Sequence, residues 1–530
     1  MIRIDNIKIP VENGPDIHNI KSVAAKKMKI KESDIKNFRI ARKSVDARDK
    51  DNVCYAISVE FSCSNEKKLL KIKNVSEAVK YEYIIKKVNT DKKVIIVGFG
   101  PTGMFASLVL ARAGISPIII ERGRSVEKRE ADIERFRKSG ILDVSSNVQF
   151  GEGGAGTFSD GKLTTGIKDK SCRFILEEFV RYGAPEEILY SSKPHIGTDK
   201  LIGTVKRIRE EIISLGGDVR FENCLTDIKE EKGKIKSVVI KNSKEIYEEE
   251  ADYLILAVGH SARDTFEILS EKPIKIEQKP FAVGVRIEHK QEMINRAQYG
   301  KAAEYLAAAD YKLWTHLDNG RGVYTFCMCP GGVVSAAASE EGMVVTNGMS
   351  YYARNGENSN AALLVGVDTR DFGTEDVFGG VEFQRKLERT AFEVGGRNYF
   401  APVQTVGDIL NDKESKELGD VVPTYRPGVT PCDMREIFPE EIYRSIKRGI
   451  VEFDKKLKGF ADKNAVLTAV ESRSSSPIRI VRDERLYSAI EGVMPCGEGC
   501  GYAGGIMSAA ADGIKCAERI IGECGDTTNA

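Results

Sequence analysis

The segment at residues 93–123 constrains the fold of this chain more than any other part of the sequence. Val94–Val97 is a short apolar run typical of a buried parallel strand, and a glycine-rich turn follows it at once. In that turn Gly98 permits a tight bend, Gly100 lets the backbone approach a phosphate, and Gly103 lets helix and strand pack closely. This G-x-G-x-x-G order predicts a strand–turn–helix unit that binds a dinucleotide.

The residues around the turn complete a βαβ unit. Pro101 and Thr102 lie inside the motif, and a small-residue helix pattern continues to Gly114. A second apolar run at residues 117–120 then ends at Glu121, whose carboxylate can accept hydrogen bonds from ribose hydroxyls. Because Glu121 would repel a 2′-phosphate, the pattern disfavours NADP and leaves NAD and FAD as the bound dinucleotide.

A second glycine-rich segment at residues 147–166 distinguishes FAD from NAD. One interpretation is a solvated loop. The other is a backbone surface laid against an extended ligand, since so much glycine is costly in chain entropy and needs a reason. In this second interpretation Gly153, Gly154 and Gly156 allow close approach, and Thr157 donates a hydrogen bond. FAD lies stretched through its domain and uses such a loop, so we predict noncovalent FAD.

A third glycine-rich element lies near the C-terminus, at residues 492–521. Gly497 and Glu498 follow a strand-like entry, and Gly504 and Gly505 open an alanine-rich amphipathic helix. This layout resembles the C-terminal flavin-binding strand and helix of the large flavoprotein group with two dinucleotide-binding domains. The resemblance implies that an acid meets the ribityl chain, although this chain has glutamate where that group usually has aspartate.

A fourth element, ADYLILAVGHSARDTF at residues 251–266, resembles the same group's apolar strand that ends in Ala-x-Gly. The resemblance implies that Gly259 passes near the adenine side of FAD. The further candidate cofactor contacts are Arg122, Arg129 and Ile506.

Several longer blocks resemble the FAD-dependent dehydrogenases of bacteria and archaea, a family that is mostly uncharacterised. The blocks are GEGGAGTFSDGKL, YTFCMCPGGVVSAAASEEGMVVTNGMSYYARNGENSNAALLV, ESRSSSPIRI and PCGEGCGYAGGI. Cys500 departs from the small alanine expected in the last block. The resemblance covers nearly the whole chain and implies a fold and a cofactor, but no substrate.

We predict an α/β chain with a glutathione-reductase-like Rossmann domain for FAD, an inserted α+β cap and a small N-terminal α+β domain. The N-terminal domain should span residues 1–88, and the first part of the FAD-binding domain 92–269. The cap, which would carry the substrate face, should span 270–480, and the last part of the FAD-binding domain 481–530. In the N-terminal domain, alternating apolar residues predict strands at residues 2–10, 38–44 and 53–61. Helical periodicity predicts one helix at residues 17–28.

Composition is that of an ordinary globular protein, with 530 residues and a formal net charge of +1. No run is long enough for a membrane span, and the N-terminus has no apolar signal region. Eleven irregularly spaced cysteines indicate free thiols in a reducing cytoplasm, so we expect a cytoplasmic protein without membrane contact. Residues 1–90 are basic, but few aromatic residues accompany the charge, so we do not expect nucleic-acid binding.

Candidate catalytic residues are fewer. Arg473 and Arg479 flank three serines just before the flavin-binding C-terminal segment, where two guanidiniums would hold an anionic substrate or stabilise an anionic reduced flavin. The alternative is a packed loop with ion pairs. His316 lies in a polar loop and could face a substrate, as could His195, whereas His260 follows the Ala-x-Gly strand and suggests a structural role.

The cysteines invite a metal or redox interpretation. Cys327-x-Cys329 and Cys496-x-x-x-Cys500 lack the paired C-x-x-C or nearby histidines of zinc sites, so we expect no metal. A disulfide between Cys496 and Cys500 that exchanges electrons with flavin is one alternative, and small loop thiols are the other.

These observations predict a FAD-dependent oxidoreductase, or dehydrogenase, that moves a hydride or electrons through flavin N5. Its partner would be a small-molecule substrate, which the arginines suggest is anionic. Since no second dinucleotide turn is present, either NAD(P)H docks transiently as a donor, or electrons come from a substrate or protein. The alternatives are an RNA-modifying flavoprotein that uses the basic N-terminal domain, and a flavin-loaded sensor without turnover. The oligomeric state is left open.

Overall fold

The computed structural model describes residues 1–526. Its N-terminal unit is a four-stranded antiparallel sheet on which the helix Ile17–Met28 packs. In sheet order the strands are Lys36–Asp46, Cys54–Ser62, Ile2–Pro10 and Val75–Glu77. The three strands and the helix predicted for this unit are confirmed, and Val75–Glu77 adds an edge strand that was not predicted.

A five-stranded parallel sheet forms the centre of the dinucleotide-binding unit. In sheet order its strands are Val493–Pro495, Tyr253–Leu256, Val94–Val97, Ile118–Glu121 and Asp218–Phe221. The central strand is buried throughout, as expected for a parallel strand covered on both faces. This order brings three distant parts of the sequence to one edge, where the carboxyl ends of parallel strands form a ligand crevice.

Both faces of this sheet are covered. The helices Pro101–Ala113 and Ile506–Asp526 pack together on one face. The other face meets an antiparallel three-stranded sheet, whose strands are Cys224–Glu231, Lys234–Lys241 and Ile246–Glu250. The remaining helices of this part of the chain are Val126–Ser139, Ser171–Arg181, Thr198–Ser214 and Arg263–Ser270.

A seven-stranded mixed sheet forms the centre of the cap. Its strands, in sheet order, are Trp314–His316, Gly322–Cys329, Asn358–Val367, Phe281–Lys290, Val466–Glu471, Ala401–Thr405 and Val429–Pro431. The two long helices of the cap are Gly379–Val394 and Glu440–Lys456. The smaller elements are the strand pair Val333–Ala336 and Thr346–Met349 and the helices Gln291–Tyr299, Thr369–Phe372 and Val406–Leu410.

The chain enters and leaves the cap through one short ribbon. Strand Ile276–Gln278 pairs antiparallel with Ile478–Ile480, so the start and end of the cap lie side by side. The predicted α/β class, with a Rossmann-type domain and a cap of sheet and helices, is confirmed. The exact domain boundaries stay a prediction. None of the helices within residues 1–526 has the length and apolar character needed to cross a bilayer.

Candidate cofactor and active site

The first glycine turn is shaped by close contacts that only glycine permits. Gly98 has φ +101°, and a β-carbon there would lie 2.3 Å from the carbonyl oxygen of Ala257. A β-carbon on Gly103 would lie 2.0 Å from the carbonyl oxygen of Gly98, so Gly103 allows the helix to pack on the turn. Gly100 differs, because a β-carbon there would come no closer than 3.7 Å to its nearest neighbour, Gly154. Its open side faces a cavity.

The second glycine segment lies directly against this turn. Gly153 donates its backbone N–H to the carbonyl oxygen of Phe99 at 2.7 Å, and a β-carbon on Gly154 would lie 3.0 Å from the α-carbon of Gly100. A β-carbon on Gly156 would in turn lie 3.2 Å from Ile506, at the start of the C-terminal helix. The three glycine-rich elements of the sequence therefore meet around one cavity.

Glu121 ties the two glycine segments together. Its carboxylate is buried and lines the cavity. One oxygen accepts the backbone N–H of Phe99 at 2.8 Å, and the other accepts those of Gly123 and Gly151, both at 2.9 Å. Three of about four lone-pair positions are thus used by the protein itself. Glu121 fixes the shape of the cavity wall, and its contact with ribose stays a prediction.

Arg129 supports the second segment from behind and does not line the cavity. Its fully buried guanidinium donates to the carbonyl oxygens of Asn147, Val148 and Glu152 at 2.7, 2.8 and 2.6 Å. Burial lowers the pKa of Arg129 to about 10. The predicted direct cofactor contact is therefore corrected, because this side chain is used entirely in holding the loop.

The C-terminal element reaches the same cavity from the opposite side. Glu498 and His260 both line it, with a Glu498 oxygen 3.3 Å from Nδ1 of His260. Within residues 1–526, Nε2 of His260 is buried without a hydrogen-bond partner. β-Carbons on Gly504 and Gly505 would meet open space, so a ligand can reach the backbone where the helix Ile506–Asp526 begins.

The cavity brings together most of the predicted cofactor residues. Those that line it are Gly98, Gly100, Pro101, Thr102, Glu121, Arg122, Gly154, Gly156, Gly259, Glu498, Gly504, Gly505 and Ile506. Those behind its wall are Gly103, Arg129, Gly153, Thr157 and Gly497. The second group shapes the wall: a β-carbon on Gly497, for example, would lie 2.2 Å from the Thr102 hydroxyl.

Of the predicted catalytic residues, Arg473 alone lines the cavity. Its guanidinium is 3% exposed and forms a bidentate pair with Glu388 at 3.0 and 2.8 Å. It also donates to the hydroxyls of Ser261 and Ser339 at 3.0 and 2.5 Å. Burial, together with the charge of nearby Arg263, lowers the pKa of Arg473. Its position at the cavity is as predicted, but most of its N–H groups are already used by the protein.

Arg479 and His316 are placed elsewhere, so their predicted roles are corrected. Arg479 is exposed on the strand Ile478–Ile480 and stacks on Tyr502 at 5.4 Å, because its two isoleucine neighbours take the buried face. His316 is exposed on the edge strand Trp314–His316. His195, the other histidine considered, bonds the Tyr352 carbonyl oxygen at 3.1 Å and stacks on that ring. None of the three lines the cavity.

Further charged, nucleophilic and amide side chains line the cavity, although the sequence patterns do not predict them there. They are Asp160, Lys162, His260, Cys327, Asn347, Glu471 and Ser474. Asp160 and Lys162 belong to the second glycine segment, so their place in that segment could have identified them as cavity residues. Cys327 belongs to the C-x-C pair, but no local pattern indicates that it lines this cavity. His260 was assigned a structural role.

Several of these groups interact strongly. Asp160 is 3.0 Å from Nζ of Lys162 and accepts from Arg354 at 3.1 Å. Burial opposes the Asp160 charge, but Lys162 and Arg354 hold the pKa of this carboxyl well below its ordinary value. Burial raises the pKa of Glu471 to about 7, although Arg286, 3.5 Å away, acts in the opposite direction. Glu471 can therefore change protonation state near neutral pH.

These features fit FAD. The turn at Gly98–Gly103 and the open Gly504 and Gly505 offer backbone N–H groups at two helix N-termini, which suit the pyrophosphate and the flavin. The unpartnered Nε2 of His260 supplies a further polar atom on the wall. At the Glu121 end, Arg122 lies 4.4 Å over the Phe150 ring, which suits a nucleoside. No group of three or more His, Cys, Asp or Glu side chains in the described part of the chain could hold a metal ion.

Comparison with known proteins agrees with this geometry. Residues 91–277 match the family model of a FAD binding domain, and residues 280–474 match that of a FAD-dependent protein, C-terminal domain-like. Residues 1–62 match a domain of unknown function. An uncharacterised protein of Clostridium beijerinckii is 48% identical over an alignment of 530 positions, and this alignment covers 98% of each chain. FAD is therefore the cofactor.

Two solved structures match this chain at low sequence identity. The halogenase PltM in complex with FAD matches at a TM-score of 0.40 and 10% identity, over 83% of this chain and 70% of that one. A geranylgeranyl bacteriochlorophyll reductase-like protein of Thermoplasma acidophilum matches at a TM-score of 0.37 and 13% identity, over 82% and 79%.

Proposed function

We propose, from the premise that this chain belongs to the family of FAD-dependent proteins, that it is an oxidoreductase acting on a small-molecule substrate. The observation that carries the proposal is the shape of the cavity. One wall is the dinucleotide turn at Gly98–Gly103, and the other is a cap surface that includes Cys327, Glu471 and Arg473. A substrate bound on the cap side would therefore lie next to the bound cofactor.

The cap side is built for a polar substrate. Lys162 lines this wall, and Arg286 and Arg354 pair with its carboxylates Glu471 and Asp160, so the cations here outnumber the carboxylates. Asn347 and Ser474 add neutral polar groups. Positive groups in a partly enclosed site attract anions more strongly than they would in water, because the local dielectric is lower. We therefore keep an anionic small molecule as the proposed substrate class.

Bound FAD would supply the electron-transfer chemistry. The chain would hold it through the backbone of the three glycine elements, with His260 and Glu498 beside the C-terminal helix start. Glu471 is the proposed proton acceptor, because it lines the cavity and its pKa is raised to about 7 by burial. When a substrate loses a hydride and a proton, a carboxylate at this position would take the proton.

The first prediction is that bound FAD is reduced by a small-molecule donor in the absence of oxygen. The purified protein would be mixed anaerobically with NADH, with NADPH and with a panel of small carboxylates and amino acids, and flavin absorbance followed. NAD(P)H is included as a transient donor that would approach from the cap side. Reduction by one of these donors supports the proposal, whereas salt-dependent RNA binding without it would favour the RNA-modifying alternative. A flavin that no donor reduces would favour the sensor.

A second prediction concerns Glu471. In the wild type, the rate of flavin reduction by the donor should rise as the pH passes about 7, because the acceptor carboxyl loses its proton there. Glu471→Gln should remove this pH dependence and lower the rate by about 100-fold or more, the usual contribution of a general base. Glu341→Gln, at an exposed cap position, is the control and should keep the wild-type profile. An unchanged profile in Glu471→Gln would exclude this carboxyl as the acceptor.

A further inference from the structure

Two cysteines lie at the cap end of the FAD cavity. Both are on the strand Gly322–Cys329, which has an irregular register against Asn358–Val367 between Phe326 and Cys329. At this bulge Cys327 has φ +42°, in the left-handed region that is uncommon for a residue with a side chain. Cys327 lines the cavity and is partly exposed, whereas Cys329 is buried behind it.

The thiols lie among buried charges that favour a negative sulfur. Nη2 of Arg286 is 3.7 Å from Sγ of Cys329 and donates to the carbonyl oxygen of Cys327 at 2.9 Å. Nζ of Lys162 is 4.0 Å from the same sulfur. The carboxylates nearby, Asp160 and Glu471, are paired with Lys162 and Arg286, respectively. Asp160 also pairs with a third cation, Arg354.

The cluster formed by Lys162, Arg286, Arg354, Asp160 and Glu471 therefore contains three cations and two carboxylates, so a thiolate would balance its charge. A hydrogen bond from the Cys329 thiol, together with Lys162 and Arg286, lowers the pKa of Cys327 well below its ordinary value. The same contact, together with burial, raises the pKa of Cys329. The S–H of Cys329 donates to the carbonyl oxygen of Cys327 at 3.2 Å. Cys327 is therefore the member of the pair whose thiol ionises more readily, with a protonated neighbour beside it, which is the arrangement of a reactive thiol pair.

We propose that Cys327 and Cys329 form a redox-active dithiol at the substrate end of the cavity and exchange two electrons with bound FAD. The inference rests on the proposed function only in that FAD occupies this cavity. In the oxidation step, the S–H bond of Cys329 breaks and an S–S bond to the Cys327 thiolate forms. The pair gives up two electrons and one proton, which convert FAD to FADH⁻, so atoms, electrons and charge balance.

A pair of neighbouring thiols elsewhere, Cys496 and Cys516, lacks these features. Sγ of Cys516 is 3.4 Å from Sγ of Cys496, but neither sulfur lines the cavity. Sγ of Cys496 lies 3.3 Å from a carboxylate oxygen of Asp512. Burial, together with the contacts to Cys516 and Asp512, raises the pKa of the Cys496 thiol. Cys500 bonds the Leu256 carbonyl oxygen instead of approaching Cys496. We therefore assign the redox-active pair to Cys327 and Cys329 instead of the Cys496 and Cys500 considered from the sequence.

The test is an anaerobic reductive titration of the oxidised, FAD-loaded protein with dithionite. The wild type should take up four electrons per FAD before reduction is complete, two for FAD and two for the disulfide. Cys327→Ala and Cys329→Ala should each take up two. Cys432→Ala, which removes a buried cap thiol outside the cavity, is the matched control and should take up four.

A second readout reports the sulfurs directly. Trypsin would release residues 322–354 as one peptide, because no lysine or arginine lies between Arg321 and Arg354, and its cysteines are Cys327 and Cys329 alone. Oxidised wild type should give this peptide with a disulfide, and fully reduced protein should give it with two alkylated thiols. A wild type that takes up two electrons, with both thiols free throughout, would overturn the proposal even if a variant failed to fold. Because dithionite replaces the natural donor, this result is independent of whether any metabolite reduces the flavin.

Discussion

Replacing Gly100 by alanine should leave a folded protein that no longer retains FAD. Gly100 has φ −77° and ψ −172°, a conformation open to alanine, and a β-carbon there would come no closer than 3.7 Å to its nearest protein neighbour. The new methyl group would instead stand on the cavity wall at the N-terminus of the helix Pro101–Ala113, where we expect the pyrophosphate to bind. Overpacking of this kind costs about 1–3 kcal/mol, and lost hydrogen bonds to the phosphates add to it.

We therefore expect the FAD dissociation constant of Gly100→Ala to rise about 100-fold or more, since each ~1.4 kcal/mol is tenfold in affinity. Titration of the apoprotein with FAD, followed by flavin fluorescence, would measure it. Gly166→Ala is the control, because a β-carbon there meets open space and Gly166 does not line this cavity. Gly98→Ala, which would clash with a carbonyl oxygen at 2.3 Å, should instead lower stability. Unchanged FAD affinity in Gly100→Ala would show that the pyrophosphate lies elsewhere.

Removing the Glu388 carboxylate should destabilise the protein more than any other single change considered. Glu388 is fully buried on the cap helix Gly379–Val394 and pairs with two arginines, Arg263 at 2.8 Å and Arg473 at 2.8 Å. Arg263 belongs to a helix of the FAD-binding unit, so the network fastens the cap to that unit. Without the carboxylate, the buried Arg473 loses its bidentate partner and Arg263 keeps only Glu340, at 2.6 Å. Breaking a buried ion pair in this way costs about 3–5 kcal/mol.

Urea unfolding of Glu388→Ala should show a free energy of unfolding lower by about 3–5 kcal/mol. Glu382→Ala, at an exposed position on the same helix, is the control and should lie within about 0.5 kcal/mol of the wild type. Burial opposes the Glu388 charge, but Arg263 and Arg473 hold its pKa well below the ordinary 4.5. The charged carboxylate therefore contributes its full stabilisation above pH 4.5 and loses it progressively at lower pH. The difference in free energy of unfolding between the wild type and Glu388→Gln, which cannot ionise, should narrow in acid. Equal urea midpoints for the wild type and Glu388→Ala at neutral pH would show that the Glu388 ion pairs do not stabilise the protein.

Short-range sequence patterns are enough to predict the dinucleotide-binding part of the protein. The turn at Gly98–Gly103, the acid at Glu121 and the second glycine segment are short-range patterns, and each encodes a backbone shape that few other residues allow. Their spacing was therefore enough to predict the strand, the helix and FAD. The exposure of Arg479 was also readable in principle, because its isoleucine neighbours alternate with it along a strand.

The charged and thiol side chains at the cap end of the cavity are brought together by tertiary packing alone. Lys162, Arg286, Cys327 and Glu471 lie far apart in the sequence and meet because the cap sheet docks on the second glycine segment. Arg129 and Arg473 look alike as surface cations in the sequence, yet one holds carbonyl groups and the other a buried carboxylate. Contacts across such separations depend on how two sheets pack, and local periodicity and spacing carry no record of that packing.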